Sequence, residues 1–235
     1  KTEPETPSGS GDLYYFNTSN KSTVEHANWK KESTQQENGK LEYLAKQLWF
    51  INKNGELSSY ATDNKNFNTY PDGASLKFTA FTKSNDQNLW LVSTDSQIIT
   101  FDIQSKIFTP FTQVSFAKNH LRAFTNISTS RNWIWLGSRG QGITLINKAS
   151  LKEFKISEKN GLSNNFIAAI KIDNSENAWI STNKGINVVT PSSKHIRTFN
   201  QDMQLYDNEF ISDSALITQN QTIYFGGLNG FHSFS

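Results

Sequence analysis

The sequence predicts an all-β protein built from repeated small sheets, and three observations support this fold class. The first is composition: the 235 residues include 17 Phe, 7 Tyr, 6 Trp and 26 Asn, but only 5 Pro and 1 Met. Aromatic and β-branched residues favour strands, whereas Asn, Ser and Thr favour turns. The second is an internal repeat of about 44 residues. The third is the set of short apolar runs inside each repeat.

Composition and charge also exclude several classes of protein. The chain has 23 basic and 21 acidic residues and a net charge of +2, too small for a protein that binds nucleic acid by neutralising phosphates. No apolar run approaches the roughly 20 residues that span a bilayer. The absence of Cys excludes a disulfide scaffold and Cys-ligated metal sites. We therefore expect no nucleic-acid partner and no insertion of this segment into a membrane.

An aromatic residue preceded by an apolar one marks the same strand in every repeat. Successive aromatic positions are 41, 45, 44 and 45 residues apart, and they are Trp49, Trp90, Trp135, Trp179 and Tyr224. Six or seven residues after each, a turn residue opens a second apolar run, at Gly55, Ser96, Gly142, Gly185 and Gly230. Gly at this point permits the positive φ that a tight hairpin needs.

Two further short runs complete each repeat. One precedes the aromatic strand, as at 121–128 and 166–173, and the other follows the second run, at 67–70, 107–111, 151–156 and 196–199. Four short strands in about 44 residues are typical of a β-propeller blade. A helical repeat is excluded because no window has apolar residues at helical spacing. We name the strands A, B (the aromatic strand), C and D in chain order.

We therefore predict a β-propeller of four-stranded antiparallel blades with about five repeats of ~44 residues over 12–235. Residues 1–11 are expected to be a linker or a cloning-derived tail. The aromatic residues should pack between neighbouring blades. Two arrangements of the ring remain open. Either Val24–Trp29 completes the last blade and closes a five-bladed ring with Asp12–Asn17 spare, or the chain is part of a larger propeller. We prefer the second arrangement.

Residues 161–191 resemble the two-component-regulator propeller repeat. The matching positions are Gly161, Leu162, Asn165, Ile170, Asp173, Asn177, Trp179, Ile180, Thr182, Gly185 and Pro191. The chain departs from that pattern at Glu176 and Ser181, where the repeat usually has Gly. Residues 207–235 are similar to the closing repeat of the same family, which precedes a Tyr-rich β-sandwich domain and a membrane segment.

This resemblance implies a seven-bladed propeller that forms the periplasmic or extracellular sensor of a bacterial inner-membrane receptor. The output domain in such receptors is a histidine kinase, often hybrid with a response regulator, or a diguanylate cyclase. We therefore expect a non-catalytic, extracytoplasmic sensor module that binds a carbohydrate or a similar cue. The expected partners are an oligosaccharide, further propeller blades, a downstream β-sandwich domain and a second copy of the receptor.

Two other functions remain open. The first is a propeller that serves as a protein-interaction or receptor-dimerisation platform without a small ligand. The second is a polysaccharide lyase or hydrolase, although no carboxylate can be nominated from the sequence as catalytic. The four His residues are scattered over different repeats without metal-binding spacing, so we expect no metal and no cofactor. The acidic and polar run 173–177 is predicted to be a turn and not a calcium loop.

The candidate ligand-binding residues lie in the D–A and B–C loops, which share one face of a propeller around its axis. Loops held on a rigid scaffold commonly carry binding residues. The candidates are His120, Arg122, Arg139, Asn165, Lys184, Asn208, Glu209 and Asn229. Asn165 and Asn208 occupy the same repeat position, where an Asn can instead shape its own loop. An Arg is suited to clamping an anionic group of a neutral or mildly acidic glycan.

Overall fold

The computed structural model describes residues 13–17, 22–27, 40–73, 75–85, 87–111, 124–200, 205 and 209–235. Within this part of the chain, every sheet is antiparallel and every repeat forms one sheet. Four sheets have four strands, and the last has three. The predicted fold class, a β-propeller of about five 44-residue repeats, is confirmed.

The strands follow one another in the order predicted from the repeats. A separate hairpin consists of β1 (Leu13–Asn17) and β2 (Ser22–Ala27). Blade 1 contains β3 (Glu42–Leu44), β4 (Gln47–Ile51), β5 (Leu57–Ala61) and β6 (Asn66–Tyr70). Blade 2 contains β7 (Phe78–Lys83), β8 (Asn88–Ser93), β9 (Ile98–Asp102) and β10 (Phe108–Pro110).

The remaining blades repeat this order. Blade 3 contains β11 (Phe124–Thr129), β12 (Trp133–Ser138), β13 (Ile143–Asn147) and β14 (Glu153–Ile156). Blade 4 contains β15 (Ile167–Ile172), β16 (Ala178–Thr182), β17 (Gly185–Val189) and β18 (Ile196–Phe199). Blade 5 contains β19 (Phe210–Ile217), β20 (Ile223–Gly227) and β21 (Gly230–Phe234). A 3₁₀ turn, Glu158–Asn160, lies between blades 3 and 4.

The turn residue that opens strand C adopts a positive φ, as predicted. Gly142 has φ 75° and Gly185 has φ 113°, and a Cβ on either would lie 2.3 Å from the carbonyl oxygen of the last residue of strand D. Ser96 takes the same place in blade 2 with φ 68°. The close approach of a neighbouring strand, as well as the turn itself, therefore favours Gly at this position.

The aromatic residue of strand B packs against the next blade, which confirms its predicted role. Trp135 of blade 3 is fully buried and shares a cluster with Ile170 and Ile180 of blade 4. Trp49 of blade 1 meets Phe101 of blade 2 edge-on, with ring centroids 5.6 Å apart. These layers hold the blades together through buried apolar area, the dominant stabilising term in folding.

Blade 5 differs from the others in having no neighbour against its aromatic face within the described residues. Leu216 is 57% exposed and Phe231 is 69% exposed, and both lie on the same side of the sheet as Tyr224. Strand β2 pairs with β1, and the last sheet ends at β21. Closure of a five-bladed ring by the N-terminal residues would instead need β2 to pair with β21 as the fourth strand of blade 5. The predicted linker, residues 1–11, lies outside the described residues.

The 173–177 run forms the turn between strands A and B of blade 4, as predicted. The Asp173 carboxylate accepts hydrogen bonds from the backbone N–H groups of Ser175 and Asn177, both at 2.9 Å. It also accepts one from the indole Nε1 of Trp179 at 3.0 Å. No described group of three His, Asp or Glu side chains is arranged to hold a metal ion. No helix among the described residues combines the length and the apolar composition needed to cross a bilayer.

Candidate axial binding site

The register of the strands places the D–A and B–C loops at the same end of the molecule. Strand A begins opposite the end of strand B, as the pairs Ile167–Thr182 and Phe210–Gly227 demonstrate. The A strands β7, β11, β15 and β19 lie against one another in chain order, so they form the innermost layer. The described candidates therefore lie at one end of the molecule, and the A strands are innermost beneath them.

Arg139 lies in the B–C loop of blade 3 and reaches toward two other blades. Its backbone forms an isolated bridge with Phe166, and its guanidinium carbon lies 5.5 Å from the centre of the Phe166 ring. Its Nη2 donates to the Ser212 Oγ of blade 5 at 3.5 Å. The positive charge of Arg139 also acts on the nearby carboxylate of Asp213. Arg139 is exposed, and its guanidinium is directed toward Ser212 of blade 5.

Asn165 lies beside Arg139, and its contacts shape the loops. Its Oδ1 accepts the backbone N–H of Glu158 at 2.9 Å, and its own N–H donates to Glu158 Oε1 at 3.1 Å. Its carbonyl oxygen accepts the N–H groups of Gly140 and Gly142 at 3.0 and 2.9 Å. These bonds join the D–A loop of blade 4 to the B–C loop of blade 3. Asn165 thus fits the loop-shaping alternative considered for it.

The other described candidates are exposed at the same end of the molecule. Lys184 lies in the B–C turn of blade 4, Glu209 immediately precedes β19, and Asn229 lies in the turn between β20 and β21. The remaining three candidates, His120, Arg122 and Asn208, lie outside the described residues. The structure therefore joins Arg139 and Asn165 through direct contacts of their loops and places the three exposed residues at the same rim.

Strand β19 has a larger bulge than the A strands β7, β11 and β15. Between the pairs Phe210–Gly227 and Ala215–Phe225, four residues of β19 oppose one residue of β20. The same interval of β15, from Ile167 to Ile170, contains two residues. Asp213 lies in this bulge with φ 57°. The two extra residues bring its carboxylate into the centre of the molecule.

Asn126 joins the bulge to two other blades. Its Nδ2 donates to Asp213 Oδ1 at 3.0 Å and to the carbonyl oxygen of Ala168 at 3.1 Å. Asn126 belongs to blade 3, Ala168 to blade 4 and Asp213 to blade 5. Asn126 itself is only 4% exposed, its bond to Ala168 is buried and its bond to Asp213 is partly buried, and buried hydrogen bonds are costly to break.

Several charged side chains share the centre with Asp213. We define the axial cluster as Lys40, Glu42, Lys83, Asn126, Lys171 and Asp213, which come from all five blades. Lys40 Nζ lies 3.2 Å from Glu42 Oε1 and donates to the carbonyl oxygen of Phe81 at 2.9 Å. Lys171 has no salt bridge and no hydrogen-bond partner for its ammonium among the described residues.

Burial and the neighbouring charges shift the pKa values of three residues in the axial cluster. Burial and the repulsion of Lys40 and Lys83 lower the pKa of Lys171 from 10.5 to about 8, although Glu42 and Asp213 act in the opposite direction. Burial raises the pKa of Asp213, despite nearby cations and the bond from Asn126. Burial would also raise the pKa of Glu42, but Lys40 and Lys171 lower it overall.

The prediction from sequence considered loop residues only and therefore did not include the axial cluster. Two signals for it exist in the sequence: the charged Lys171 inside an otherwise apolar A run, and the longer final A run that contains Asp213. Neither signal identifies its partners, because Glu42, Asn126 and Asp213 are 84 and 87 residues apart along the chain. Only the closing of blades around an axis brings them together.

Comparison with known proteins agrees with the predicted resemblance. No protein-family model matches the chain. "Histidine kinase P4" of Formosa agariphila is 24% identical over 239 residues, which cover 76% of this chain and 17% of the kinase. The extracellular domain of a hybrid two-component system of B. thetaiotaomicron has the same fold, with a TM-score of 0.68 and 20% identity over 94% of this chain and 30% of that domain.

Two more solved structures extend this comparison. The extracellular domain of a one-component system of B. thetaiotaomicron has a TM-score of 0.62 and 12% identity, over 83% of this chain and 27% of that one. PorZ, a surface component of the type-IX secretion system of Porphyromonas gingivalis, has a TM-score of 0.59 and 16% identity, over 83% and 32%. The chain thus spans less than a third of the length of these proteins.

The fold is therefore found both in receptor ectodomains and in a secretion component, and fold similarity at this identity does not select a function. The chain is a β-propeller with the fold of the extracellular domains of bacterial one- and two-component systems and with sequence similarity to a bacterial histidine kinase.

Proposed function

We propose that this chain is a non-catalytic, extracytoplasmic sensor module of a bacterial transmembrane receptor, and that it binds a carbohydrate at the axial opening. The observation that carries the proposal is the axial site itself. Exposed polar residues of the D–A and B–C loops lie at one end of the molecule, and the A strands beneath them carry charged side chains from blades 1, 2, 4 and 5 and the amide of Asn126 from blade 3. A concave site with a few converging polar groups on a rigid scaffold is typical of ligand binding.

The similarity to a histidine kinase supports the signalling part of this proposal, since 76% of the chain aligns with that protein. The solved neighbours named as extracellular domains support an extracytoplasmic location. In such a receptor the binding signal would pass to an output domain elsewhere in the protein. The proposal assigns no turnover to the chain, so polysaccharides incubated with it should yield no new reducing ends and no unsaturated products.

A glycan array followed by thermal-shift measurements tests the binding proposal. We expect at least one class of oligosaccharide to raise the Tm of the wild-type chain. Arg139→Ala should reduce that shift because Arg139 lies at the opening. The matched control is Arg131→Ala, which removes an exposed arginine from the A–B turn at the opposite end of the same blade and should leave the shift unchanged. Silence across all carbohydrates would contradict the proposal.

A second candidate function, a protein-interaction platform, is favoured by the exposed face of blade 5. Tyr224 and Phe231 lie with ring centroids 5.7 Å apart beside the exposed Leu216. In blades 1 to 4, the corresponding face packs against the next blade. The occupant that best fits this face is therefore another propeller blade. Exposed apolar patches of this kind commonly mark interaction surfaces.

Light scattering after size-exclusion chromatography tests this second candidate. If the blade 5 face pairs with a second copy of the chain, the measured mass should rise with protein concentration. The substitution Phe231→Ser should abolish that rise, whereas Phe67→Ser on the outer strand of blade 1 should not. A monomer at every concentration would count against a self-associating platform.

A further inference from the structure

A cavity of about 140 Å³ lies between blades 1 and 2, at the end of the molecule where the B–C and D–A loops meet. Its lining consists of Glu56, which follows the B–C turn of blade 1, and of residues 70–73 and 75–78, which lead from strand D of blade 1 to strand A of blade 2. Clefts that enclose drug-sized ligands measure about 300–1,000 Å³. This space, which we name the blade 1–2 cavity, therefore suits a single small ring and not a longer chain.

The walls of the blade 1–2 cavity are held by hydrogen bonds of the backbone. The N–H of Phe78 donates to the carbonyl oxygen of Gly55 at 2.7 Å, which ties strand A of blade 2 to the B–C turn of blade 1. The Asp72 carboxylate accepts the N–H of Leu76, at 3.2 and 3.1 Å to its two oxygens, and so closes the loop between them. Because the walls are already fixed, a ligand does not have to order this loop when it binds.

Part of the lining is apolar. Phe78 is only 2% exposed, and Leu76 is half-buried. The ring of Tyr70 stacks on Trp49 with centroids 5.3 Å apart, and its hydroxyl shares a 3.0 Å hydrogen bond with Ser59. These contacts hold the aromatic wall in one position, against which C–H groups of a ligand can pack.

Two polar groups of the lining have hydrogen-bonding capacity that the described part of the chain does not use. Glu56 Oε2 accepts a 3.0 Å hydrogen bond from Asn52 Nδ2, whereas Glu56 Oε1 accepts none from the described residues. Lys77 is exposed, and its ammonium likewise has no hydrogen bond or ion pair within that part of the chain. Together with Asp72, the lining carries two carboxylates and one ammonium, which leaves one net negative charge.

We propose that the blade 1–2 cavity binds one neutral sugar residue. Hydroxyl groups of the sugar donate hydrogen bonds to Glu56 Oε1, and the Lys77 ammonium donates to one of the sugar oxygens. The C–H groups of the sugar pack against Tyr70, Leu76 and Phe78. This inference rests on the proposed carbohydrate-binding function, to which it adds a contact region in blades 1 and 2. An acidic sugar would bring its charge beside two carboxylates and should bind more weakly.

Ligand-observed NMR titrations test the inference with three hexoses, glucose, galactose and mannose, and with the uronate of each. We expect at least one hexose to bind the wild-type chain, and its uronate to bind more weakly. Glu56→Gln should weaken the binding of that hexose about 10-fold, because a charged hydrogen-bond acceptor is replaced by a neutral one. Ser75→Trp should abolish the binding, since Ser75 is exposed and lines the cavity, which the larger side chain would fill.

Each substitution has a matched control outside the cavity. Glu153→Gln removes an exposed carboxylate from the outer strand of blade 3. Ser192→Trp adds the same large ring to an exposed position in the C–D turn of blade 4, at the opposite end of the molecule. Neither control should change the affinity for the hexose, and circular dichroism should confirm that all four variants are folded.

The failures of the two proposals are distinguishable. If no hexose binds, or if Glu56→Gln and Ser75→Trp both bind it as tightly as the wild type, the inference about the cavity is wrong, while an oligosaccharide found on the glycan array would still support carbohydrate binding. Equal affinity for a hexose and its uronate would refute the preference for a neutral sugar. If no saccharide on the array binds to the folded chain either, the proposed carbohydrate-sensing function is itself contradicted.

Discussion

The layers between blades and the axial space they enclose follow opposite physical rules. Between blades 3 and 4, Trp135, Ile170 and Ile180 are buried without charge, and the layer gains free energy from the area it removes from water. At the axis, Lys171 and Asp213 are partly buried, and burial shifts the pKa of each toward its neutral form. The buried layers between blades therefore stabilise the fold, whereas the charged residues at the axis reduce its stability.

The largest effect should come from removing an aromatic residue from a covered layer. Trp135→Ala should reduce the free energy of unfolding by about 3–5 kcal/mol, the usual cost of deleting a buried aromatic side chain. Tyr224→Ala occupies the same repeat position on the exposed face of blade 5 and should cost about 1 kcal/mol. Urea unfolding monitored by circular dichroism measures both. Equal losses would mean that the blade 5 face is covered as well as the others.

Two glycines of the same loop allow the energetic cost of crowding between strands to be measured apart from the cost of backbone conformation. Gly142 and Gly140 both have positive φ, 75° and 111°, but a Cβ would meet Ile156 O at 2.3 Å only at Gly142. Gly140→Ala should cost about 1–2 kcal/mol for conformation alone. Gly142→Ala should cost about 1–3 kcal/mol more because strand D must move. Denaturant midpoints measure the difference, and similar values for the two variants would refute the crowding argument.

The partly buried charges at the axis should make the stability of the fold depend on pH. The pKa of Lys171 is lowered from 10.5 to about 8 in the folded chain, so between these values the unfolded chain binds more protons than the folded chain. Stability should therefore rise with pH across this window, by about 3 kcal/mol at most. Lys171→Met should remove the rise and increase stability at pH 7. A flat profile for the wild type between pH 8 and 10.5 would contradict this account.

The smallest effect compares two asparagines of blade 3 that bond to neighbouring blades. Asn126→Ala removes a partly buried bond to Asp213 and a buried bond to Ala168 and should cost about 1–3 kcal/mol, since buried groups lose their partner. Asn132→Ala removes the exposed bond from its Nδ2 to Glu176 Oε2, at 3.1 Å, and should cost under about 0.5 kcal/mol. Thermal unfolding measures both losses, and an equal cost would indicate that the axial bonds are not shielded from solvent.

Much of the fold could be predicted from the sequence because the repeat specifies local structure. The aromatic spacing located strand B, and the turn residue at Gly185 located strand C. Both signals depend on residues close together in the chain, where hydrophobic alternation and turn chemistry act directly. Strand ends agreed within a few residues, as for the predicted run 196–199 and the observed β18.

The candidate site was predicted less completely. Arg139 and Asn165 lie in neighbouring B–C and D–A loops, as blade topology predicts, and their role in ligand binding stays a prediction. Lys171 and Asp213 were not predicted, because a polar residue in a strand gives no indication of which residues face it across an axis. The β19 bulge also depends on pairing with β20 that a sequence pattern does not specify.

The sequence alone therefore determined the class of fold, the number of repeats and the side of the blades on which loops meet, because these depend on periodicity and turns. Only the tertiary structure decided that Lys40, Glu42, Asn126, Lys171 and Asp213 share one partly desolvated space. The physical reason is that electrostatic interactions depend on distance and burial. Both arise only when blades that are far apart in the chain pack around the same axis.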